Sequence, residues 1–122
     1  EKPDDYVIAT GRQESVRNFI ELTAKHLNWI GRNGSQSIIW EGEGLNEVGR
    51  RSDNGEIVIK IDPIYYRPAE VESLIGNPTK ASKKLGWEPK ITLENLVAEM
   101  VKSDTISAKK EKIIQGINLK NN

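Results

Sequence analysis

The chain has 122 residues, a length typical of one domain, with 18 basic and 18 acidic side chains and a formal net charge of zero. This balance gives no general attraction to nucleic acid or to an anionic membrane, so we expect neither as a partner. The sequence has no cysteine, which excludes disulfides and thiolate metal sites, and only one histidine, so we expect no bound metal. It has no apolar run of membrane-spanning length, and a cytoplasmic location is the default expectation.

The first part of the sequence predicts a strand followed by a helix. Residues 6–10 are an apolar run that ends at Gly11, which predicts a short buried strand. Ser15 is a good N-cap for a helix over residues 16–27, whose apolar residues recur at spacings of three, four and seven. Arg17 lies in the first turn of this helix, where anions are favoured, and is a candidate phosphate ligand, although a solvated arginine is the commoner role.

The middle of the sequence predicts two strands separated by a long loop. Residues 37–40 are rich in β-formers, and residues 56–61 alternate with a period of two, the clearest strand signal in the chain. Residues 41–55, with several glycines, predict a polar loop. Arg50 and Arg51 near its end are candidates for an anion clamp or a subunit contact, with solubilising charge as the plain alternative.

The last third predicts two helices and a tail. Asn77 and Pro78 are typical of a helix start, and Gly86 is typical of its end. Thr92 is a good N-cap for a second helix with apolar residues at three-four spacing. The apolar pattern weakens after residue 104, so we predict a lobe over residues 1–104 and a polar C-terminal tail over 105–122 that is helical or frayed.

Arg67 and Glu70 form a second candidate site on either side of Pro68. A guanidinium offers a planar fork of donors that suits phosphate, and a carboxylate can accept hydrogen bonds from ribose hydroxyls. Pro68 restricts the backbone between them. The pair can therefore hold the phosphate and ribose of one nucleotide, or it can be a surface ion pair; local chemistry leaves both open.

The residue types that make and break bonds are not arranged for catalysis. The serines lack a nucleophile elbow, and the Gly-Glu-Gly of residues 42–44 lacks the lysine and the context of a phosphate loop. No Tyr-x-x-x-Lys pair occurs. We therefore expect no catalytic residue in this chain.

Two motifs of the sequence are specific: Trp-Glu-Gly at residues 40–42 with Asn-Glu-Val-Gly-Arg at 46–50, and Tyr-Arg-Pro-Ala-Glu-Val-Glu at 66–72. They resemble the GDP-mannose 4,6-dehydratase family, within the extended short-chain dehydrogenase/reductase superfamily. Residues 5–11 with 15–19, and residues 76–89, continue the similarity, although Leu-Gly-Trp-x-Pro at 85–89 recurs across the superfamily. The resemblance extends over about residues 2–104.

The resemblance implies an α/β fold class: a small mixed αβ substrate-binding lobe with its Rossmann domain absent, since the catalytic groups would precede Glu1. By motif position, Arg67 would contact the diphosphate or ribose of GDP-mannose, Glu70 the ribose hydroxyls, and Arg17 a phosphate. NADP would be bound mainly by the missing Rossmann domain, so we expect no cofactor for this chain alone and no catalysis without that domain. A homo-oligomer is also implied.

Such a lobe would expose an apolar face that the missing domain covers, including residues 6–8 and part of 93–101, which predicts self-association or marginal stability. Two alternatives stay open. The chain resembles the lobe of a GDP-4-keto-6-deoxymannose reductase in its Ser-Val-Arg and Arg-Pro, although the long segment over 40–51 favours the dehydratase. It could also be a stand-alone nucleotide-sugar binding module.

Overall fold

Three helices and a three-stranded sheet make up the regular structure of the part of the chain that the computed structural model describes, residues 2–31, 34, 36–67, 69 and 73–118. The predicted mixed αβ fold is confirmed. In chain order the elements are α1 (Val16–His26), β1 (Ile38–Glu41), β2 (Val48–Arg51), β3 (Ile57–Lys60), α2 (Thr79–Leu85) and α3 (Leu93–Asn118), with 3-10 turns at Gly44–Asn46 and Pro63–Tyr65.

The sheet is an antiparallel meander in the order β1-β2-β3. Trp40 pairs with Gly49, and Gly49 pairs with Ile59. Gly49 is buried and has no room for a side chain, because an added Cβ would lie 3.0 Å from the Ile59 Cδ1 and 3.1 Å from the Ile38 Cγ2. The Ile38 and Ile59 side chains of the outer strands therefore pack against the middle strand at Gly49.

The predicted polar loop over residues 41–55 is wrong, because it contains β2 and the 3-10 turn before it. The sequence does not predict β2 because its residues are Val-Gly-Arg-Arg. Its buried position is a glycine, so β2 lacks the alternation of apolar and polar side chains by which a strand is recognised. Gly42 begins the connection at φ 82°, where an added Cβ would lie 2.6 Å from the Asn46 carbonyl oxygen, so only glycine fits that turn.

The predicted strand over residues 6–10 is also wrong, since these residues join no ladder. Val7 and Ala9 lie beside Gly76 instead, so closely that a Cβ on Gly76 would lie 2.5 Å from that of Ala9. Val7 and Ile8 are exposed, so the apolar run is not a buried strand.

Local hydrogen bonds mark the helix starts close to where the sequence predicts them, although the N-cap of α2 is Pro78, which makes no side-chain cap bond, and not Asn77. The Ser15 Oγ accepts from the Asn18 amide at 3.0 Å, and the Asn77 Oδ1 accepts from the Thr79 amide at 3.0 Å. The Thr92 Oγ1 accepts from the Asn95 amide at 3.2 Å, and α3 continues without a break across residue 104. The division into a lobe over 1–104 and a tail over 105–122 stays a prediction, and residues 119–122 lie outside the described residues.

The buried core is small for the surface around it. Among the described residues, the apolar side chains with at most 2% exposure are Ala24, Ile38, Ala81 and Val97. The chain exposes 10382 Å², whereas a compact monomer of this mass exposes about 6,600 Å². Val7, Ile8, Leu96 and Met100 are among the large apolar side chains left in solvent, as the sequence predicts for that face. Much surface that a compact domain buries is thus open.

Charged contacts fasten the N-terminal segment to α2. The Lys80 Nζ donates to the Asp4 Oδ1 at 2.7 Å and to the Asp5 carbonyl at 2.9 Å, and the Lys84 Nζ donates to the Asp4 Oδ2 at 3.3 Å. The Lys80 ammonium also lies 5.2 Å from the Tyr6 ring centroid. The hydrogen bond from Lys80, with that from Lys84, lowers the pKa of Asp4 to about 2.

Shortening Ile38 tests the small core. Ile38→Val should lower the free energy of unfolding by about 1 kcal/mol, because it removes one methyl group from a fully buried site. The neighbouring Ile39 lies on the open face of the same strand, so Ile39→Val should change it by less than about 0.5 kcal/mol. Urea unfolding followed by circular dichroism measures both, and equal losses would contradict the assigned core.

Acid should loosen the N-terminal segment. The Asp4 pKa lies near 2 in the folded chain, below its ordinary value of 3.8, so the contribution of Asp4 to stability is fully present above about pH 4 and is lost as the pH falls through 2. An NMR titration of the Asp4 carboxyl should show a midpoint near 2. Lys80→Met should raise that midpoint toward the ordinary value. A midpoint that Lys80→Met leaves unchanged would disprove the contact.

Candidate functional site

The antiparallel register gathers three strand ends at one end of the sheet. β1 finishes there at Glu41, β2 starts there at Val48, and β3 finishes there at Lys60, as the pairings of Glu41 with Val48 and of Val48 with Lys60 require. We call this the Val48 end. The opposite end, where Ile38 pairs with Arg51, is called the Arg51 end.

Arg17 lies at the Val48 end, between the first helix and the β1–β2 connection. Its guanidinium carbon lies 4.4 Å from the centroid of the Trp40 ring, and its Nη2 donates to the Glu47 Oε1 at 2.5 Å. The Trp40 Nε1 donates in turn to the Glu21 Oε1 at 2.8 Å. Arg17 is therefore held by two elements of the fold while its side chain stays 47% exposed.

The fixed guanidinium keeps donors for a ligand. Only the Nη2 of Arg17 donates a hydrogen bond to an acceptor within the described ranges. An arginine carries five N–H donors in one plane, so the Nε and Nη1 hydrogens remain for a phosphate oxygen. The predicted role of Arg17 as a phosphate ligand is chemically open to it.

Arg67 follows from the same end of the sheet. The chain leaves β3 at Lys60 and passes through the 3-10 turn Pro63–Tyr65, where the Ile64 amide donates to the Asp62 Oδ1 at 3.0 Å. Arg67 comes seven residues after Lys60 and is exposed. The chain segment that carries Arg67 therefore leaves the sheet at the Val48 end, where Arg17 lies.

Two residues of the predicted nucleotide grip, Pro68 and Glu70, lie outside the described residues. The role of Glu70 toward ribose hydroxyls stays a prediction that rests on motif position. The roles of Arg17 and Arg67 toward GDP stay predictions on the same ground.

Arg50 and Arg51 both face carboxylates of the chain itself. The Arg50 Nε donates to the Glu41 Oε2 at 2.7 Å, and the Arg51 Nε and Nη2 donate to the two Asp53 oxygens at 3.0 and 2.7 Å. Asp53 raises the pKa of Arg51, and Arg51 lowers that of Asp53. The Arg51 guanidinium also lies 4.3 Å from the Trp29 ring centroid, at the Arg51 end. Their predicted role as anion or subunit contacts stays a prediction.

A concave region of about 360 Å³ has none of the described candidates Arg17, Arg50, Arg51 and Arg67 in its lining. Arg12 is one of its charged lining residues; the Arg12 Nη2 donates to the Glu94 Oε1 at 3.1 Å, and a second contact joins Arg12 to Glu14. Glu94 and Glu14 together raise the pKa of Arg12. Two carboxylates thus already balance this cation. The lining residues are Thr10, Arg12, Glu14, Pro89, Lys90, Ile91, Thr92, Leu93 and Leu96.

The partners of Arg17, which are Trp40 and Glu47, are not predicted by the sequence. Trp40 and Glu47 both lie within the motif pieces at 40–42 and 46–50, which was the available signal. The pairing with Glu47 spans 30 residues, so no local pattern indicates it.

Neither metal ligation nor membrane insertion is a feature of the described part. There, no three His, Cys, Asp or Glu side chains come together as a metal site needs. None of the described helices combines the length and the apolar content that a membrane crossing requires.

Comparisons with known proteins agree on one family. The profile of the GDP-mannose 4,6 dehydratase family matches residues 1–100. The chain is 54% identical over 102 residues to GDP-mannose 4,6 dehydratase 2 of Caenorhabditis elegans, covering 84% of this chain and 25% of that protein. It is 42% identical over 125 residues to the GDP-mannose 4,6-dehydratase of Vibrio cholerae, covering 94% and 32%. It is 43% identical over 104 residues to the human GDP-mannose 4,6 dehydratase, covering 85% and 26%. The chain thus spans about a quarter to a third of the length of these relatives.

Proposed function

This chain belongs to the GDP-mannose 4,6-dehydratase family, and we propose that it is the substrate-binding lobe of such an enzyme, which grips the GDP half of GDP-mannose. The observation that carries the proposal is the position of Arg17. Its guanidinium is fixed by Trp40 and Glu47 yet keeps free donors, at the end of the sheet from which the segment with Arg67 departs.

The chemistry of GDP fits that arrangement. A diphosphate carries several negative oxygens close together, and arginine forks are well suited to bind them. We assign Arg17 to a phosphate, Arg67 to the diphosphate or ribose, and Glu70 to the ribose hydroxyls. Two cations around one diphosphate would fix its position while the sugar extends away from them toward the reacting groups.

The reaction itself is assigned to the rest of the longer enzyme. We propose that the whole enzyme is an NADP-dependent lyase that converts GDP-mannose to GDP-4-keto-6-deoxymannose. The described residues do not fit a dinucleotide, because their three strands are antiparallel and form no parallel strand-helix-strand unit. No redox step is therefore derived from this chain.

The open apolar surface supports a lobe that packs against more protein. The chain exposes 10382 Å², far more than a compact monomer of its mass, and Val7, Ile8, Leu96 and Met100 lie in solvent. We assign part of this surface to contact with the Rossmann domain of a cytoplasmic homo-oligomer. A substrate cleft between two domains would have only one of its walls here, so isolated binding should be weak.

Removing either arginine should weaken substrate binding in the full-length enzyme. Arg17→Ala and Arg67→Ala should each raise the KM for GDP-mannose by about tenfold, because each removes a charged hydrogen bond to the diphosphate. Steady-state kinetics measure the effect, with Lys109→Ala on exposed α3 as the charge-matched control. An unchanged KM in both arginine variants would contradict the proposed site.

Calorimetric titration of the 122-residue chain with GDP-mannose separates a lobe from a self-sufficient binding module. A lobe that supplies one wall of a cleft should bind more weakly than about 1 μM, since half of the contacts are missing. Micromolar or tighter binding by this chain alone would support the stand-alone module instead.

A further inference from the structure

We propose that Glu47, Trp40 and Glu21 are positioning residues that hold the Arg17 guanidinium ready for a diphosphate, an inference that rests on the proposed function. None of the three needs to touch the ligand. Their role is to reduce the number of conformations that Arg17 must lose when an anion arrives.

The guanidinium is fixed in two respects by two different contacts. The Trp40 ring lies against it, with 4.4 Å between the guanidinium carbon and the ring centroid, and sets the plane of the fork. The Glu47 Oε1 accepts from Nη2 at 2.5 Å and sets the direction of the fork within that plane. Neither contact alone would fix both.

The ring is itself fixed from the helix that carries Arg17. The Trp40 Nε1 donates to the Glu21 Oε1 at 2.8 Å, and Glu21 lies four residues after Arg17 on α1. Side chains at this spacing share one helix face and commonly pair with each other. Here both engage the same indole, so α1 supplies the arginine and also the anchor of the ring that orients it.

A second arginine of the chain, Arg51, makes the same kinds of contact but is more enclosed by them. Arg51 also lies on an indole, Trp29, at 4.3 Å and pairs with Asp53. There both Nε and Nη2 are taken by the carboxylate, and the side chain is 22% exposed. Arg17 gives only Nη2 to Glu47 and is 47% exposed. The Arg17 cluster therefore presents an arginine to solvent, whereas the Arg51 cluster closes over one.

Variants at Glu47 in the full-length enzyme test the inference, with GDP as the probe in calorimetry. Glu47→Ala should weaken GDP binding by about tenfold and raise the KM for GDP-mannose with kcat unchanged, because Arg17 loses its fixed direction. Glu47→Gln keeps an oxygen acceptor for Nη2 and should stay within about threefold of the original affinity. Trp40→Leu should weaken binding more than Trp40→Phe, which keeps a flat ring.

A double-mutant cycle separates positioning from general stability. In an Arg17→Ala background, Glu47→Ala should cause no further loss of GDP affinity. A further loss of the same size would show that Glu47 is merely structural, and tighter binding by Glu47→Ala would show that it competes with phosphate; either result overturns the inference. Asp53→Ala, which disrupts the matching cluster at the Arg51 end, should leave GDP affinity unchanged.

The outcomes also distinguish this inference from the proposed function. If Arg17→Ala leaves GDP affinity unchanged, the phosphate role of Arg17 and the positioning role fail together. If Arg17→Ala weakens binding and Glu47→Ala does not, only the positioning role fails.

Discussion

The antiparallel register of β1 on β2 is the constraint from which the candidate site follows. Trp40 pairs with Gly49, and Ile38, two residues earlier, lies on the same face as Trp40 and is fully buried. A slip of one residue would turn both side chains to the opposite face. The stacking of Arg17 on Trp40 would then be lost, and Glu47 would no longer lie beside the guanidinium. Gly49 specifies this register because no side chain fits between Ile38 and Ile59.

The small buried core fits the proposal that this chain packs against more protein. Among the described residues, the apolar side chains with at most 2% exposure are only Ala24, Ile38, Ala81 and Val97. A nucleotide held on the surface of this chain would be gripped from one side. The curated relatives from Caenorhabditis elegans and Vibrio cholerae are three to four times as long as the matched segment, and we propose that the second wall of the cleft lies in the corresponding remainder of such a protein.

The elements that the sequence predicted correctly depend on local chemistry. Ser15 and Thr92 cap α1 and α3 through hydrogen bonds that span three residues, and Asn77 accepts a hydrogen bond from the first residue of α2, two residues on; a sequence pattern can contain such short spans. β2 was missed because its stability comes from the Ile38 and Ile59 side chains on neighbouring strands, and not from its own Val-Gly-Arg-Arg. Residues 6–10 are the opposite case. Their apolar run predicts a strand, but they pair with no strand of the described fold. For the site, motif position indicated Arg17 and Arg67, whereas Trp40 and Glu47, the partners that fix Arg17, lie 23 and 30 positions after it and needed the structure.

The central claim is that GDP binds at the Val48 end of the sheet, and hydrogen–deuterium exchange of the full-length enzyme with and without GDP tests it most directly. If GDP binds there, it should slow exchange of the backbone amides in residues 16–18, 43–48 and 61–67. The amides of residues 52–56, at the Arg51 end, should be unaffected. Protection at the Arg51 end without protection at the Val48 end would contradict it.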